Sequence, residues 1–207
     1  MTLAVSTRKA EVIDDEHHLK HIKEERNLKE LLVVVDMQND FVTGVLGTDE
    51  AKAIVPKVCE KIEGWQGDII MTRDTHQDNY MDTAEGKMLP VPHCIQNSDG
   101  WQINEDVQKS YSKMNCAGSG HFFAMLNKPT FGSVVLSNVA SDEQYDRIVL
   151  CGVCTGICVL SNAMLLRAVL PEAEIIVDAA CCACVSPESH KTALDAMAPC
   201  NIKIING

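Results

Sequence analysis

Apolar runs alternate with amphipathic stretches along most of the chain. The clearest run is Leu31-Leu32-Val33-Val34-Val35, which ends at Asp36 and is typical of a strand buried on both faces. Comparable runs predict further strands over residues 68–72, 122–127, 147–152, 174–177 and 201–205. Helices are predicted over residues 50–63, 158–169 and 187–197, and a further helix is expected to close over residues 141–146.

Strands that alternate with helices predict right-handed βαβ units, so we expect an α/β fold with a parallel sheet covered by helices on both faces. The last helix has clear boundaries, because Ser186 can cap it and Pro187 suits its first position. In such folds function gathers at the carboxyl ends of the strands. Asp36, residues 73–76 and residues 154–158 all lie at predicted carboxyl ends and are expected to meet in space.

Two segments depart from the alternating pattern. Residues 1–30 carry charges of both signs and three histidines, His17, His18 and His21, without a repeating apolar stripe. We interpret them as a charged extension, helical or loose, that precedes one domain over residues 31–207. Residues 73–101 form a long loop rich in Asp, His, Pro and Asn, and a loop of that length inside a compact domain is usually functional.

Composition and charge exclude several classes of partner. The 207 residues suit one domain with a full core, and the net charge of -11 argues against nucleic acid or an anionic membrane as the main partner. Residues 148–166 carry no charge, but glycines and polar residues divide them into a buried strand and a buried helix rather than a membrane span. Residues 7–30 contain no apolar signal-peptide core, so the ten cysteines are expected to be reduced thiols in a cytoplasmic protein.

Cys158 is the candidate nucleophile. It follows the apolar run and Gly152 at the predicted start of a helix, where the peptide dipoles and free N–H groups favour thiolate over thiol. The same N–H groups could hold an oxyanion when the thiolate attacks a carbonyl. Asp36 could act as the general base beside this thiol or could cap a turn, and Lys128 could stabilise the charges or lie at the surface.

A candidate metal site lies in the long loop. Asp74 and His76 are two residues apart and point the same way in extended backbone, and His93 and Glu85 follow in the same loop. Two imidazoles and carboxylate oxygens suit Zn²⁺, Fe²⁺ or Mn²⁺, and the alternative is a loop pinned by hydrogen bonds among these residues.

The other closely spaced cysteines are weaker candidates. A metal or cluster site on Cys151, Cys154 and Cys158 is disfavoured, because no fourth cysteine completes the set and Cys151 should point into the core. The group Cys181, Cys182 and Cys184 is interpreted as small residues packed at the end of the fifth strand.

Taken together, these motifs resemble those of the isochorismatase-like cysteine hydrolases, with the closest match to nicotinamidases and related amidases. The similarity runs from about Leu31 to the C-terminus. The motifs that carry it are Asp36-Met37-Gln38-Asn39-Asp40-Phe41, Thr72-Arg73-Asp74-Thr75-His76, Pro92-His93-Cys94, Lys128 and the segment from Gly152 to Val159.

The resemblance implies a three-layer fold with a six-stranded parallel sheet and a triad of Asp36, Lys128 and Cys158. It also implies a cis peptide bond between Val153 and Cys154, with the N–H groups of Cys154 and Cys158 as the oxyanion hole. Phe41 matches an aromatic residue of the substrate pocket in such enzymes. Family members usually form homo-oligomers.

The resemblance further implies a divalent metal, zinc first and iron or manganese as alternatives, on Asp74, His76 and His93. Some members add a carboxylate, for which Glu85 is the matching position, and others add a histidine, where Tyr80 stands nearby here. The metal in those enzymes positions the substrate and waters. The expected reaction is hydrolysis of the carboxamide of nicotinamide through a thioester.

One departure from the nicotinamidase pattern concerns the substrate. Those enzymes often carry an aromatic residue before the Pro-Pro-His segment, whereas this chain has Met88-Leu89-Pro90-Val91-Pro92. The alternatives are therefore an amidase for a carbamoyl or ureido compound, an isochorismatase-type hydrolase, which the cysteine at 158 disfavours, and a scaffold without activity.

Overall fold

The computed structural model describes residues 28–116 and 121–207. Six parallel strands form one sheet in the order β3-β2-β1-β4-β5-β6. The strands are β1 (Glu30–Val35), β2 (Asp68–Asp74), β3 (Phe123–Lys128), β4 (Arg147–Val153), β5 (Glu174–Ala183) and β6 (Ile202–Ile205). The α-helices in the described part are α1 (Asn39–Val42), α2 (Asp49–Gly64), α3 (Ala84–Met88), α4 (Glu105–Cys116), α5 (Val134–Glu143), α6 (Leu160–Val169) and α7 (Pro187–Met197).

Helices cover both faces of the sheet, which confirms the predicted three-layer α/β fold. Helix α2 packs against α4, and α5 packs against α6. Right-handed crossovers place these two pairs on opposite faces, because the chain winds outward from β1 in one direction and from β4 in the other. The order of the strands reverses between β1 and β4, and side chains beyond their carboxyl ends meet in the crevice at that point.

The core is centred on β1. All five residues from Leu31 to Val35 are fully buried, because β2 and β4 pair with this strand and helices cover both of its faces. Each such side chain contributes about 1.5–3 kcal/mol of hydrophobic stabilisation. The β-branched run therefore fixes the strand from which the functional end of the sheet is built.

Most of the predicted elements are confirmed, with their ends shifted by one or two residues. The span over residues 148–166 divides into β4 and α6, as expected, and α7 begins at Pro187 with Ser186 as its cap. No helix in the part of the chain that the structure describes is long and apolar enough to cross a membrane. The interpretation of residues 1–30 rests on residues 1–27, which lie outside the described residues.

Other boundaries were predicted wrongly. Strand β5 does not end before Asp178 but continues to Ala183, because Lys61 and Asn206 neutralise and bind that carboxylate inside the strand. The helix expected over residues 141–146 is the end of α5, which stops at Glu143.

Helix elements were also missed. Helix α4 was not predicted, because it buries only Val107, Ser110 and Tyr111 and so carries a weak apolar stripe. The long loop over residues 73–101 contains the short helix α3.

The glycine at position 152 shapes the contact between β1 and β4. Its φ of 115° lies in the region that favours glycine, and a Cβ built there would lie 2.1 Å from the carbonyl oxygen of Val35. Because Asp36 follows Val35, a side chain at position 152 would displace the end of β1.

We therefore expect Gly152→Ala to lower the free energy of unfolding by about 2 kcal/mol or more, through combined steric clash and backbone strain. Gly64→Ala is the matched control, because no atom lies within 4 Å of a Cβ built at the end of α2. It should be neutral or stabilising by up to about 1 kcal/mol. Urea denaturation of the two variants measures the difference, and equal stabilities would contradict the close approach at Gly152.

Candidate active site

Four neighbouring strands place side chains at the carboxyl end of the sheet. Asp36 follows β1, Asp74 ends β2, Lys128 ends β3, and a cis peptide bond joins Val153, the last residue of β4, to Cys154. These strands are neighbours in the order β3-β2-β1-β4, so their carboxyl ends lie side by side. The structure thus brings together residues that the sequence separates by more than one hundred positions.

Lys128 connects these side chains. Its ammonium lies 2.6 Å from Asp36 Oδ2 and 3.4 Å from Asp74 Oδ1, and it donates a 3.1 Å hydrogen bond to the carbonyl of Thr130. Its Nζ atom also lies 3.5 Å from Cys158 Sγ. The side chain is fully buried, so the prediction of a functional lysine, rather than a surface one, fits its position. A buried ammonium requires such partners, because burying an unpaired charge is very costly.

Asp36 is held by two different interactions. Its Oδ1 atom accepts a 2.7 Å hydrogen bond from the Thr72 hydroxyl, and Lys128 pairs with the other oxygen. The backbone adopts a φ of 49°, in the left-handed region that a non-glycine residue rarely occupies. Because Thr72 and Lys128 engage both carboxylate oxygens, Asp36 does not act as a simple helix cap.

Cys158 lies in a π-type turn over Thr155–Val159 that leads directly into α6. Its side chain is buried, and the Asn162 amide donates a 2.8 Å hydrogen bond to its carbonyl oxygen. Asn162 also accepts a hydrogen bond from the backbone N–H of Ser133, so the turn is tied to the start of α5. The position of the thiol is therefore fixed by contacts on two helices.

The charge state of the thiol differs from the expectation based on the helix dipole. Burial and, after it, the Asp36 carboxylate raise the pKa of Cys158 well above its ordinary value, although Lys128 opposes them. Burial also raises the pKa of Asp36, against the lowering effect of Lys128. Burial alone would lower the pKa of Lys128, but Asp36, Cys158 and Asp74 outweigh it and raise that pKa. The resting nucleophile is thus a thiol that needs a base to ionise it.

The metal candidates form one compact group. Single ligand atoms of Asp74, His76, Glu85 and His93 all lie within 4.8 Å of one another. His76 Nε2 lies 3.1 Å from Asp74 Oδ2 and 3.4 Å from Glu85 Oε1, and His93 Nε2 lies 3.6 Å and 3.7 Å from the same two atoms.

These distances fit a tetrahedral ion. Bonds of about 2.0–2.1 Å to a tetrahedral zinc place neighbouring ligand atoms about 3.3 Å apart. The four separations between a histidine nitrogen and a carboxylate oxygen, from 3.1 to 3.7 Å, bracket that value, and all ligand atoms lie within 4.8 Å of one another. Glu85, which the sequence places in the same loop between His76 and His93, stands within the group as a fourth donor.

Surrounding contacts orient the two imidazoles. His93 Nδ1 lies 2.8 Å from the carbonyl oxygen of Val91, which can only accept, so Nδ1 carries a proton and Nε2 is the ring nitrogen that lies toward the carboxylates. Tyr80 packs its ring against both His76 and His93, and its hydroxyl donates to the Leu89 carbonyl. Tyr80 is therefore a wall of the group rather than a donor within it.

Gln38 positions Asp74 and was not singled out from the sequence. Its amide oxygen accepts a 2.7 Å hydrogen bond from the Asp74 N–H, and its amide nitrogen donates to the Asp74 carbonyl at 2.8 Å. The side chain is fully buried. Nearby, the Asp40 carboxylate accepts a 2.7 Å hydrogen bond from the Cys94 N–H. No local sequence signal identifies Gln38, because its burial and its contacts with β2 arise only in the folded chain.

A cavity of about 260 Å³ opens onto the reacting groups. Cys158 lines it together with His93, Asp74 and Glu85. The remaining wall is mostly apolar and includes Phe41, as expected, and Phe131, which was not predicted as a pocket residue. The volume lies just below the usual range for ligand sites, about 300–1,000 Å³, so the cavity suits a small molecule.

In the part of the chain that the structure describes, the cysteines do not form a metal-binding group. Cys151 is buried in the sheet, as expected, and every cysteine is a free thiol. Within residues 28–116 and 121–207, the group of candidate metal ligands contains only carboxylates and histidines. Cys181, Cys182 and Cys184 are buried at the end of β5, in agreement with their interpretation as packed small residues.

Comparison with known proteins supports the resemblance. The family sequence model of the isochorismatase domain matches residues 30–207. A curated relative, the uncharacterized isochorismatase family protein PncA of Bacillus subtilis, is 27% identical over 145 residues, which cover 66% of this chain and 78% of that protein.

Two solved structures resemble the fold. The nicotinamidase/pyrazinamidase PncA of Bacillus subtilis superposes with a TM-score of 0.75 at 21% identity and covers 86% of this chain and 99% of its own. The pyrazinamidase of Pyrococcus horikoshii in complex with zinc has a TM-score of 0.65 at 27% identity, with 86% and 99% of the two chains covered.

The charge balance around the thiol predicts an unusual effect of Asp36→Asn. Because the Asp36 carboxylate raises the pKa of Cys158, its removal should lower that pKa and increase the thiolate fraction at a given pH. Alkylation of Cys158 by iodoacetamide at pH 8 should then accelerate about tenfold for each unit by which the pKa falls. Mass spectrometry of the tryptic peptide over residues 148–167 measures the rate.

Asp178→Asn is the control for this measurement, because it removes another buried carboxylate, one that is paired with Lys61. It should leave the alkylation of Cys158 unchanged. Slower alkylation in Asp36→Asn than in the native protein would contradict the described balance, since the carboxylate would then assist ionisation at rest.

The distances in the metal group predict binding of about one zinc ion per chain. His93→Ala should lose most of the metal after dialysis, because one of four donors and its orienting contact to Val91 are removed. His121→Ala is the control, since that histidine lies near Asp68 at the start of β2. Elemental analysis gives the stoichiometry, and equal metal content in both variants would exclude this group as the site.

Proposed function

The chain belongs to the isochorismatase family of hydrolases, and we propose that it is a metal-assisted cysteine amidohydrolase that converts nicotinamide to nicotinic acid and ammonia. One observation carries the proposal. The Cys158 thiol, the Asp36 carboxylate and the Lys128 ammonium converge, and the small cavity that Cys158 lines is also lined by Asp74, Glu85 and His93. Residues 31–207 form the proposed catalytic domain.

The first step of the proposed reaction is the ionisation of Cys158. Its raised pKa means that it reacts only when a base removes its proton, and Asp36, whose pKa is also raised, is suited to accept one. The ammonium of Lys128, 3.5 Å from the sulfur, stabilises the thiolate that forms. The thiolate then adds to the carboxamide carbonyl, and the backbone N–H groups of Cys154 and Cys158 receive the oxyanion.

The second half of the reaction uses the same carboxyl group. Asp36 returns its proton to the departing nitrogen, so ammonia leaves and an acyl thioester remains on Cys158. Asp36 then takes a proton from water, whose oxygen adds to the thioester carbonyl. Collapse of that adduct breaks the carbon–sulfur bond, releases the carboxylic acid and returns the proton to the thiol.

The metal group assists by binding rather than by attack. When bound to Asp74, His76, Glu85 and His93, a zinc ion would hold a ring nitrogen of the substrate or a water. The pyrazinamidase of Pyrococcus horikoshii, a structural neighbour, is in complex with zinc. The chain's own contribution is to hold the two Nε2 atoms against the Asp74 and Glu85 carboxylates, through the Val91 contact of His93 and the packing of Tyr80.

Two phenylalanines support an aromatic substrate. The pocket has Leu89 where related enzymes often have an aromatic residue, but Phe131 joins Phe41 in its wall. Two flat apolar side chains beside a small cavity favour a planar ring over a flexible carbamoyl compound. Phe131 therefore provides a second aromatic side chain in the pocket, although the segment before His93 lacks one.

The proposal also includes a compartment and an assembly. All ten cysteines are free, and such a set of thiols persists in the reducing cytoplasm, where we place the enzyme. Assembly into a homo-oligomer stays a prediction.

Release of ammonia from nicotinamide tests the proposal. The purified protein should release it, and Cys158→Ala should reduce the rate to background because no thioester can form. Cys200→Ala is the matched control, since that thiol hydrogen-bonds the Ala196 carbonyl away from the cavity, and it should keep the native rate. A Cys158→Ala rate close to the native rate would contradict the mechanism.

A different outcome would indicate another substrate. If nicotinamide gives no ammonia while a carbamoyl or ureido compound does so in a Cys158-dependent reaction, the amidase class stands and nicotinamide is excluded. If no amide is cleaved although Cys158 is selectively alkylated, the amidase proposal itself fails.

A further inference from the structure

Two thiols beside the reacting groups have no part in the proposed reaction. Cys154 Sγ and Cys184 Sγ lie 2.7 Å apart, and both residues line the active-site cavity. Only the backbone N–H of Cys154 is used in the proposed chemistry, and Cys184 is not used at all. Their sulfur atoms therefore form a pair without an assigned role.

The sheet register makes this pair suitable for a disulfide. Strands β4 and β5 run parallel, and Val153 at the end of β4 is the partner of Ala183 at the end of β5. Cys154 and Cys184 follow these partners directly. Neighbouring strands are about 4.8 Å apart, which lies within the range of Cα separations that a disulfide spans, about 4.4–6.8 Å. The sulfurs need to approach by only about 0.7 Å to reach the bonded distance of about 2.05 Å.

The pair is also accessible to a small oxidant. Cys184 lies between the active-site cavity and a second groove, which is bordered by the π-type turn and by helix α7. A molecule the size of hydrogen peroxide can approach through the cavity that admits the substrate. Cys181, three residues earlier, is as exposed as Cys184 but lines neither of these two pockets.

We propose that Cys154 and Cys184 form a reversible disulfide that inhibits the enzyme when peroxide is present. The sulfur of Cys184 attacks one oxygen of hydrogen peroxide, the O–O bond breaks, and water leaves with the thiol proton, so Cys184 becomes a sulfenic acid. Cys154 then attacks that sulfur, the S–O bond breaks, and a second water leaves. Two thiols are oxidised, one peroxide is reduced, and an added thiol reverses the change.

The order of these two steps follows from the positions of the two sulfurs. Cys184 lines both the active-site cavity and the second groove, whereas Cys154 lines the cavity but not that groove. We therefore assign the first attack to Cys184 and the second to Cys154.

Inhibition follows from the place of Cys154 in the site. Cys154 supplies one of the two proposed oxyanion N–H groups, and it precedes the turn that carries Cys158. A bond to Cys184 draws Cys154 toward β5. A displacement of about 1 Å in a catalytic site can cost up to about 10²-fold in rate. This effect on rate rests on the proposed function, whereas the formation of the bond does not.

The bond itself is tested in Cys158→Ala, which has no nucleophile and cannot form a bridge to position 158. After treatment with hydrogen peroxide and blocking of free thiols, tandem mass spectrometry should find the tryptic peptides over residues 148–167 and 168–191 joined through Cys154 and Cys184. Cys184→Ser in the same background should abolish the link, and Cys181→Ser should keep it. A link through other cysteines, or no link at a dose that oxidises exposed Cys116, would overturn the proposal.

The inhibition is tested with Cys158 present, by comparing each protein before and after oxidation. Native protein and Cys181→Ser should lose at least about tenfold in kcat/KM and recover it with dithiothreitol. Cys184→Ser should lose less than about twofold at the same dose. Equal losses in the native protein and in Cys184→Ser would overturn the inhibitory role, because another site, such as Cys158, would then account for them.

Discussion

A buried ammonium holds this site together. Lys128 has no exposed surface, so its charge must be satisfied within the protein, and Asp36 at 2.6 Å and Asp74 at 3.4 Å provide the opposite charge. These contacts tie the ends of β1, β2 and β3 to one another, and the Cys158 thiol lies within reach of the same cation. Loss of this cation would leave the buried Asp36 carboxylate without its ion-pair partner, which costs several kcal/mol.

The same cation explains how one thiol can be inert at rest and reactive with substrate. Burial and the Asp36 carboxylate keep Cys158 protonated, and Lys128 limits that effect. Transfer of the proton to Asp36 exchanges a carboxylate for a thiolate beside the same ammonium, so the net charge near Lys128 does not change. A buried site can make this exchange at little cost, whereas ionisation toward solvent would leave a new charge without hydration.

Much of the fold was predictable, because the β-branched runs and the Ser186-Pro187 start of α7 are local signals. The predicted strand ends then place Asp36, Asp74, Lys128 and Cys158 at the carboxyl end of the sheet. The remainder depends on tertiary contacts that no local pattern reveals. Strand β5 continues past Asp178 because Lys61, which is distant in sequence, pairs with that carboxylate. Gln38 acts by hydrogen bonds to backbone atoms of Asp74 in β2. The helix-dipole expectation for the thiol failed because burial outweighs it.

The central claim is that the acyl group of a small carboxamide is carried on Cys158. Partitioning with hydroxylamine tests it most directly, because a thioester intermediate is intercepted by that nucleophile in competition with water. With nicotinamide as substrate, the account predicts that the hydroxamate of nicotinic acid appears at the expense of the acid, while the rate of ammonia release through the first step is retained. Formation of the acid alone, at hydroxylamine concentrations that readily cleave a model thioester, would contradict a covalent intermediate on Cys158.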